Sequence, residues 1–119
     1  MKQDIIQIQG LAVAVSVGIS EQERASKQRL LIDVQMETQH AFDSVKENLS
    51  LTADYAVAVQ KIQAYCSNVS SHLIETLASN IASLLLDEFP LKRATVRVRK
   101  FILPETEFVA VQTTQERSH

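Results

Sequence analysis

Four side chains in this sequence could carry acid–base chemistry, although they are widely spaced along the chain: Glu23, Tyr55, Glu75 and Lys100. A carboxylate can accept two parallel hydrogen bonds, and tyrosine and lysine side chains can donate or exchange protons. Each residue taken alone also has a simpler interpretation. Glu23 fits a solvated loop charge, Tyr55 a core aromatic with its hydroxyl at the rim, and Glu75 a charge at the flank of a helix. Taken singly, therefore, none of these three identifies a site.

Lys100 departs from the pattern of its own segment. Ala94, Val96 and Val98 alternate with polar residues, which predicts a strand with one apolar face. Lys100 continues that apolar face, where another hydrophobic residue would be expected. We expect its aliphatic stem to be buried while its ammonium group reaches a rim.

Other kinds of chemistry have little support in the sequence. The three histidines, His40, His72 and His119, share no spacing that would place two of them on one face, so we expect no metal site. The single cysteine, Cys66, fits a small buried hydrophobic residue in a reducing compartment. No glycine-rich phosphate loop is present, and we expect no cofactor.

Two predicted helices should position Glu75 and Tyr55. Residues 71–89 repeat apolar side chains at helical spacing, with Ser71 as the predicted N-cap and Pro90 ending the helix. Glu75 lies at the edge of the apolar stripe of this helix. A second helix is predicted from Ala53 to about Ser67, capped by Thr52, and residues 68–70 form the turn between the two helices.

Alternating segments predict four strands. The first covers residues 4–17, where the parity of the apolar residues changes across Gly10 and predicts a β-bulge. The others cover residues 28–39, the stretch from Pro90 to Lys100, and residues 108–112. Polar connections are predicted at residues 18–27, 40–51 and 101–106, and the tail from residue 113 is expected to fray.

The predicted fold is α+β with the order ββααββ, in which two helices cover one face of a four-stranded antiparallel sheet. The opposite face of the sheet is polar, and it carries the following side chains: Asp33, Gln35, Glu37, Arg97 and Arg99. This face could be solvated, as one face of an antiparallel sheet often is, or it could line the inside of a larger assembly.

Composition limits the class of protein. With 119 residues and 45% hydrophobic content, we expect residues 1–119 to form one globular domain. The formal net charge of -2 argues against a nucleic-acid partner. No run is long and apolar enough to span a membrane, and Asp4, Gln7 and Gln9 interrupt the N-terminal apolar run, so we expect no signal peptide and a cytoplasmic location.

The order and spacing of several short motifs resemble the dihydroneopterin aldolase family. They are Gly18 followed five residues later by Glu23, Gln28 before a strand, Asp54-Tyr55 early in a helix, the LIETLA stretch from Leu73 to Ala78, and a strand that ends at Lys100. The resemblance covers nearly the whole chain. It implies a tunnelling fold (T-fold), in which subunits close into a barrel with the helices outside and assemble as a homo-tetramer or homo-octamer.

The resemblance also implies an activity. Family members are aldehyde lyases of folate biosynthesis that cleave 7,8-dihydroneopterin into 6-hydroxymethyl-7,8-dihydropterin and glycolaldehyde, without a metal and without a Schiff base. By the same resemblance Lys100, Tyr55 and Glu23 are catalytic residues, Tyr55 being supplied across a subunit boundary. Four residues are assigned to binding of the pterin substrate: Glu75, Asp54, Leu73 and Ile74. Two alternatives remain open, a dihydroneopterin triphosphate 2′-epimerase and a non-catalytic pterin-binding assembly protein.

Overall fold

The computed structural model describes residues 3–118 and contains five strands and four α-helices within that range. The strands are β1 (Ile5–Val17), β2 (Gln28–Thr38), β3 (Ser70–Ser71), β4 (Leu91–Lys100) and β5 (Val109–Glu116). The helices are α1 (Glu21–Arg24), α2 (Phe42–Val45), α3 (Tyr55–Asn68) and α4 (Ile74–Glu88), with a single 3₁₀ turn at Leu49–Leu51. Short helices therefore occupy two of the connections that the sequence pattern predicts to be polar loops.

The strands form one sheet in the order β3-β1-β2-β4-β5. The four long strands pair antiparallel, as predicted. The prediction of a four-stranded sheet is wrong, because Ser70–Ser71 adds a short fifth strand parallel to Ser16 and Val17. The sequence pattern predicts a simple turn at these residues. The chain instead runs alongside the end of β1 before α4 begins, and that end supplies hydrogen-bonding partners.

The bulge predicted near Gly10 is confirmed. Ile8 pairs with Val34 and Leu11 with Ile32, so Gln9 and Gly10 together lie opposite one residue of β2, Asp33. Gly10 has a φ of 71°, a conformation that glycine adopts without a Cβ penalty. Its N–H donates to Asp33 Oδ1 at 2.8 Å. The bulge keeps the apolar residues on both sides of it facing the same core.

Both long helices begin later than predicted. Asp54, not Thr52, is the N-cap of α3, and its carboxylate accepts from the N–H groups of Ala56 and Val57. A charged acceptor suits the positive end of a helix. Ser71 does not cap α4: it lies in β3 and its hydroxyl donates to Leu73 O at 3.1 Å, while Leu73 takes the N-cap position.

The core lies between α3, α4 and one face of the sheet. The helices contribute fully buried side chains such as Ile62, Leu77 and Ile81, and the sheet contributes Ile32 and Val96. Cys66 is also buried there, as predicted. Among residues 3–118 no helix combines the length and the apolar character that crossing a bilayer requires.

The opposite face of the sheet is polar, and its carboxylates Asp33, Glu37 and Glu116 are paired with arginines. Arg99 Nη2 lies 2.9 Å from Asp33 Oδ1. Arg93 contacts Glu116 at 2.7 Å and Glu37 at 3.4 Å. Asp33 therefore accepts both from Arg99 and from the bulge at Gly10, so this face also helps to hold the bend in β1.

The prediction that the C-terminal tail frays is wrong for the residues that the structure describes; His119 lies outside them. β5 extends to Glu116, well beyond residue 112. Arg117 then donates from its guanidinium to the carbonyls of Leu86, Phe89 and Leu91. The last carbonyl groups of a helix lack partners within the helix, so Arg117 satisfies the C-terminal end of α4 from a distant part of the chain.

We predict that Arg117→Ala lowers the free energy of unfolding by about 1–3 kcal/mol, because it removes charge-assisted hydrogen bonds from partly buried carbonyls. Urea unfolding followed by circular dichroism measures this change. Arg29→Ala removes an exposed arginine from β2 and serves as the matched control. Equal midpoints for the two variants would show that Arg117 does not hold the end of α4.

Candidate functional site

The structure brings together two of the predicted site residues, Glu23 and Lys100. Lys100 Nζ lies 3.6 Å from Glu23 Oε2. The side chain of Lys100 is 13% exposed and that of Glu23 is 36% exposed. Lys100 ends β4 on the face that also carries Val96 and Val98, so its stem is sheltered and its ammonium group reaches the edge of the core.

The Glu23 carboxylate is fixed by a capping box at the start of α1. Ser20 is the N-cap, and its hydroxyl accepts from the Glu23 N–H at 3.2 Å. In return, Glu23 Oε1 accepts from the N–H and from the hydroxyl of Ser20, each at 3.4 Å. One carboxylate oxygen therefore faces Ser20 and the other faces Lys100.

Gly18 makes room for this carboxylate. Its φ of 151° is a conformation that residues with a side chain rarely adopt. A Cβ built on Gly18 would lie 2.4 Å from Glu23 Cβ and 2.9 Å from Glu23 Oε2. Only glycine fits at this position, which gives a physical reason for the Gly18–Glu23 spacing noted in the sequence.

The environment lowers the pKa of Glu23. The largest cause is the hydrogen bond from the Ser20 backbone N–H. Burial opposes the shift to a smaller extent. The charge of Lys100 and hydrogen bonds from the side chains of Ser20 and Lys100 lower the pKa further. Glu23 is therefore a carboxylate at neutral pH. In that form it can accept a proton or hydrogen bonds, and it can hold the Lys100 ammonium group.

The N-terminus of α4 lies at the same end of the molecule. Gly18 N–H donates to Ser71 O at 3.1 Å, and Ser71 is only two residues before Leu73, the N-cap of α4. Leu73 is 45% exposed, and Glu75 is exposed in the first helical turn. The Ile74 side chain is buried in the core, so only its backbone is available to a ligand.

Tyr55 is not a core aromatic residue, and the structure places it away from the Glu23–Lys100 pair. It is the first residue of α3 and is 65% exposed. The 14 residues of α3 rise about 20 Å along the helix axis. The other end of α3 leads directly into β3, beside Gly18. Tyr55 and its neighbour Asp54 therefore lie at the far end of α3 from the pair.

Groups suited to metal binding or nucleophilic chemistry are not assembled in the described part of the chain. Residues 3–118 contain no cluster of three or more His, Cys, Asp or Glu side chains that could hold a metal ion. Burial raises the pKa of Cys66 to about 11, so this residue is a thiol at neutral pH and a poor nucleophile.

Two residues that hold the site were not singled out from the sequence as site residues. Ser20 could have been recognised, because Ser20 and Glu23 form the S-x-x-E pattern of a capping box. Arg24 could not: its Nη1 donates to Gly18 O at 2.9 Å and Ile19 O at 2.8 Å, contacts that depend on how the loop folds back. Both residues fix the loop that carries Glu23.

Comparison with known proteins identifies related chains. The family model for dihydroneopterin aldolase (FolB) matches residues 6–114. The dihydroneopterin aldolase of Escherichia coli K12 is 24% identical over 86 residues, which cover 72% of this chain and 70% of that protein. The protein of the same name from Shigella flexneri matches equally well.

Solved structures share the fold. A FolB crystal structure from Vibrio cholerae has a TM-score of 0.89 at 22% identity and covers 98% of this chain and 100% of that one. The E. coli dihydroneopterin aldolase in complex with neopterin has a TM-score of 0.85 at 20% identity, over 94% of this chain and 98% of that one. A Burkholderia dihydroneopterin aldolase bound to guanine has a TM-score of 0.76 at 22% identity and covers 98% of this chain and 93% of that one.

We predict that Gly18→Ala displaces Glu23 from Lys100, because the new Cβ would overlap the Glu23 side chain. The pKa of Glu23, measured by carboxyl ¹³C NMR, should rise towards the ordinary value for glutamate. Gly10→Ala is the matched control, since Gly10 also has positive φ but a Cβ there meets its nearest heavy atom only at 3.9 Å. The control should lose stability, by about 1 kcal/mol or more, without changing the titration of Glu23. An unaltered Glu23 pKa in Gly18→Ala would contradict the packing described here.

Proposed function

This chain belongs to the dihydroneopterin aldolase family, and from that membership we propose that it is an aldehyde lyase of folate biosynthesis. It cleaves 7,8-dihydroneopterin into 6-hydroxymethyl-7,8-dihydropterin and glycolaldehyde. The observation that carries the proposal is the contact between Glu23 and Lys100 beside the N-terminus of α4. A protein that only bound pterins would need the α4 residues but would have no use for a sheltered lysine paired with a carboxylate.

The reaction is a retro-aldol cleavage that needs only proton transfers. Removal of the proton from the 2′-hydroxyl breaks the bond between C1′ and C2′ and releases glycolaldehyde. The electron pair moves into the C6=N5 imine of the substrate, so neither a Schiff base nor a metal is required. Protonation at C1′ then gives the hydroxymethyl product. Positioned side chains that move protons accelerate such steps by about 10²–10⁴-fold.

Lys100, acting with a bound water, is proposed to transfer the protons. Its sheltered position supports this role, because the 3.6 Å contact with Glu23 holds the ammonium group at the edge of the core. Glu23 holds Lys100 in place or contacts the polar tail of the substrate. Tyr55 orients the substrate or protonates it late in the reaction.

Glu75 is proposed to anchor the pterin ring. Its carboxylate is exposed in the first turn of α4 and can accept two parallel hydrogen bonds from a ring N–H and the 2-amino group. The exposed Leu73 and the backbone of Ile74 complete the binding surface on the same chain, and the backbone of Asp54 is supplied, like Tyr55, by another copy.

The distance of Tyr55 from Glu23 and Lys100 supports an active site shared between subunits. We propose a homo-oligomer, a tetramer or octamer, in which Tyr55 of one copy completes the Glu23–Lys100 site of another. Two further features favour association: within residues 3–118 the outer edge of β5 has no partner strand, and β3 covers only the last two residues of β1. Such edges are usually paired or protected. The polar face of the sheet would then line the inside of a barrel. Separately, we propose that the protein acts in the cytoplasm.

The alternative activity is that of a dihydroneopterin triphosphate 2′-epimerase. The same deprotonation would then be followed by re-formation of the C1′–C2′ bond instead of release of the aldehyde. The Glu23–Lys100 pair suits both reactions, so the products must distinguish them. Incubation with dihydroneopterin and with its triphosphate should yield glycolaldehyde from the first, whereas an epimer without aldehyde would assign the alternative.

We predict that Lys100→Ala lowers turnover of dihydroneopterin by about 10²-fold or more, because a proton-transfer group is lost. Pterin affinity should stay within about tenfold, or roughly 1.4 kcal/mol. Glycolaldehyde release and calorimetry measure the two quantities. Lys92→Ala, which removes an exposed lysine from the same strand, is the control and should retain full turnover. Wild-type rates for Lys100→Ala on both substrates would rule out the mechanism.

We predict that Glu75→Gln weakens pterin binding by roughly 1.5–3 kcal/mol while leaving the fold intact, because a charge-assisted pair becomes a neutral contact. Calorimetry with neopterin measures the affinity, and circular dichroism checks the fold. Asp87→Asn, an exposed substitution near the other end of α4, is the matched control. Equal affinities for the two variants would remove Glu75 from the site.

A further inference from the structure

We propose that Ser20 is a positioning residue for the reaction, holding one oxygen of Glu23 so that the other faces Lys100. This inference rests on the proposed function, since it gives Ser20 a role in catalysis through Glu23. Ser20 itself does not contact Lys100 in the described structure. Its effect is on the orientation of the carboxylate.

The hydrogen bonds divide the carboxylate between two partners. Oε1 accepts from the N–H and hydroxyl of Ser20, and Oε2 lies 3.6 Å from Lys100 Nζ. Glutamate has three rotatable side-chain bonds, so a carboxylate without the Ser20 contacts would sample several orientations. The two contacts of 3.4 Å to one oxygen restrict that freedom and favour the orientation in which the second oxygen is directed at the lysine.

The short length of α1 makes this anchor important. With only four residues, Glu21–Arg24, α1 cannot be stable by itself, since helix formation needs several turns to offset its costly first turn. The capping box supplies two kinds of contact at once: the Ser20 hydroxyl accepts the Glu23 N–H, and Glu23 Oε1 accepts the Ser20 N–H. Loss of the hydroxyl therefore removes the cap on the Glu23 N–H and one of the two contacts to Glu23 Oε1, and leaves the contact from the Ser20 N–H.

Arg24 and Gln28 fix the loop on which Ser20 lies. Arg24 Nη1 donates to Gly18 O at 2.9 Å and to Ile19 O at 2.8 Å, just before Ser20. Gln28 Nε2 donates to Glu23 O at 3.5 Å from the start of β2. The backbone around Ser20 is thus held from both sides, so the hydroxyl acts from a fixed point.

The charges around Glu23 determine the sign of the pH effect. In the described part of the chain, Lys100 on β4 is the one charged side chain in contact with this carboxylate, and the neighbouring Arg24 is directed at backbone carbonyls instead. Ser20 and Lys100 both lower the pKa of Glu23. Loosening the Ser20 contacts should raise this pKa. If Glu23 works as a carboxylate, the acidic limb of the pH–rate profile should then move to higher pH.

The test compares four variants of the full chain. Ser20→Ala and Ser20→Gly remove the hydroxyl, and glycine is tolerated at helix N-caps, so at least one should fold normally. Ser20→Thr restores a hydroxyl, and Ser26→Ala removes an exposed serine from the same loop as the control. Two readouts are used: titration of the Glu23 carboxyl by ¹³C NMR, and the pH dependence of kcat and of KM for dihydroneopterin.

We expect the two variants without the hydroxyl to raise the pKa of Glu23 and to move the acidic limb of the pH profile of kcat to higher pH. They should also lower kcat by about tenfold with little change in KM. The threonine variant should recover most of the loss, and Ser26→Ala should match the wild type. An unchanged Glu23 titration in Ser20→Ala and Ser20→Gly would overturn the inference. A raised pKa with an unchanged kcat profile would also overturn it.

The failure of this inference can be told apart from the failure of the proposed function. If the wild-type protein releases no glycolaldehyde and forms no epimer, the proposed function is wrong, and the role of Ser20 in catalysis falls with it. The NMR titration still decides whether Ser20 orients Glu23. If the wild type is active and the Ser20 variants match it in every readout, only the role of Ser20 is wrong.

Discussion

The packing of α3 and α4 against one face of the sheet is the interaction on which the rest of the structure depends. The fully buried side chains of α4, such as Leu77, Ile81 and Leu85, each contribute about 1.5–3 kcal/mol when removed from water. This packing fixes the N-terminus of α4 beside the end of β1. It also determines where the helices cease to cover the sheet. Lys100 lies on the covered face at the end of its strand, which explains how one residue can have a buried stem and an accessible charge.

The Glu23–Lys100 contact is too weak to be explained as a source of stability. The Glu23 side chain is 36% exposed, and solvent screens a pair with so accessible a partner, so the contact adds little to stability. The local structure nevertheless accommodates it with a glycine at a φ of 151° and a capping box on a four-residue helix. Arrangements that restrict the backbone without a matching gain in stability are typical of functional sites. This imbalance supports a catalytic role for the pair.

Most of the strands could be predicted from the sequence because alternation reflects burial on one face. The bulge at Gly10 followed from the same pattern and is confirmed. The start of α4 was placed wrongly because Ser71 is a good N-cap by residue type, whereas its backbone pairs with β1. The ordered segment of residues 113–117 was missed for a related reason. Arg117 is held by carbonyls at the end of α4, and contacts between distant segments leave no periodic signal.

The sequence indicated candidate residues for the site but not how they are arranged. The spacing of Gly18 and Glu23 was visible, yet the steric reason for it required the fold. Tyr55 was expected to be a core residue when judged by type alone, and it is exposed at the far end of α3. No pattern in one chain could show that it lies at the other end of α3 from the Glu23–Lys100 pair. That separation is the main reason to expect that one chain does not hold a complete site.

The most direct test of this account is reassembly of mixed subunits. Lys100→Ala and Tyr55→Ala proteins, each assayed alone, should be nearly inactive in releasing glycolaldehyde. After the two are mixed in equal amounts, unfolded and refolded together, random association should give about a quarter of the sites both wild-type residues if they come from different chains. We predict recovery to about a quarter of the wild-type rate. No recovery above the separate variants, with normal refolding of the wild type treated in the same way, would contradict an active site shared between subunits.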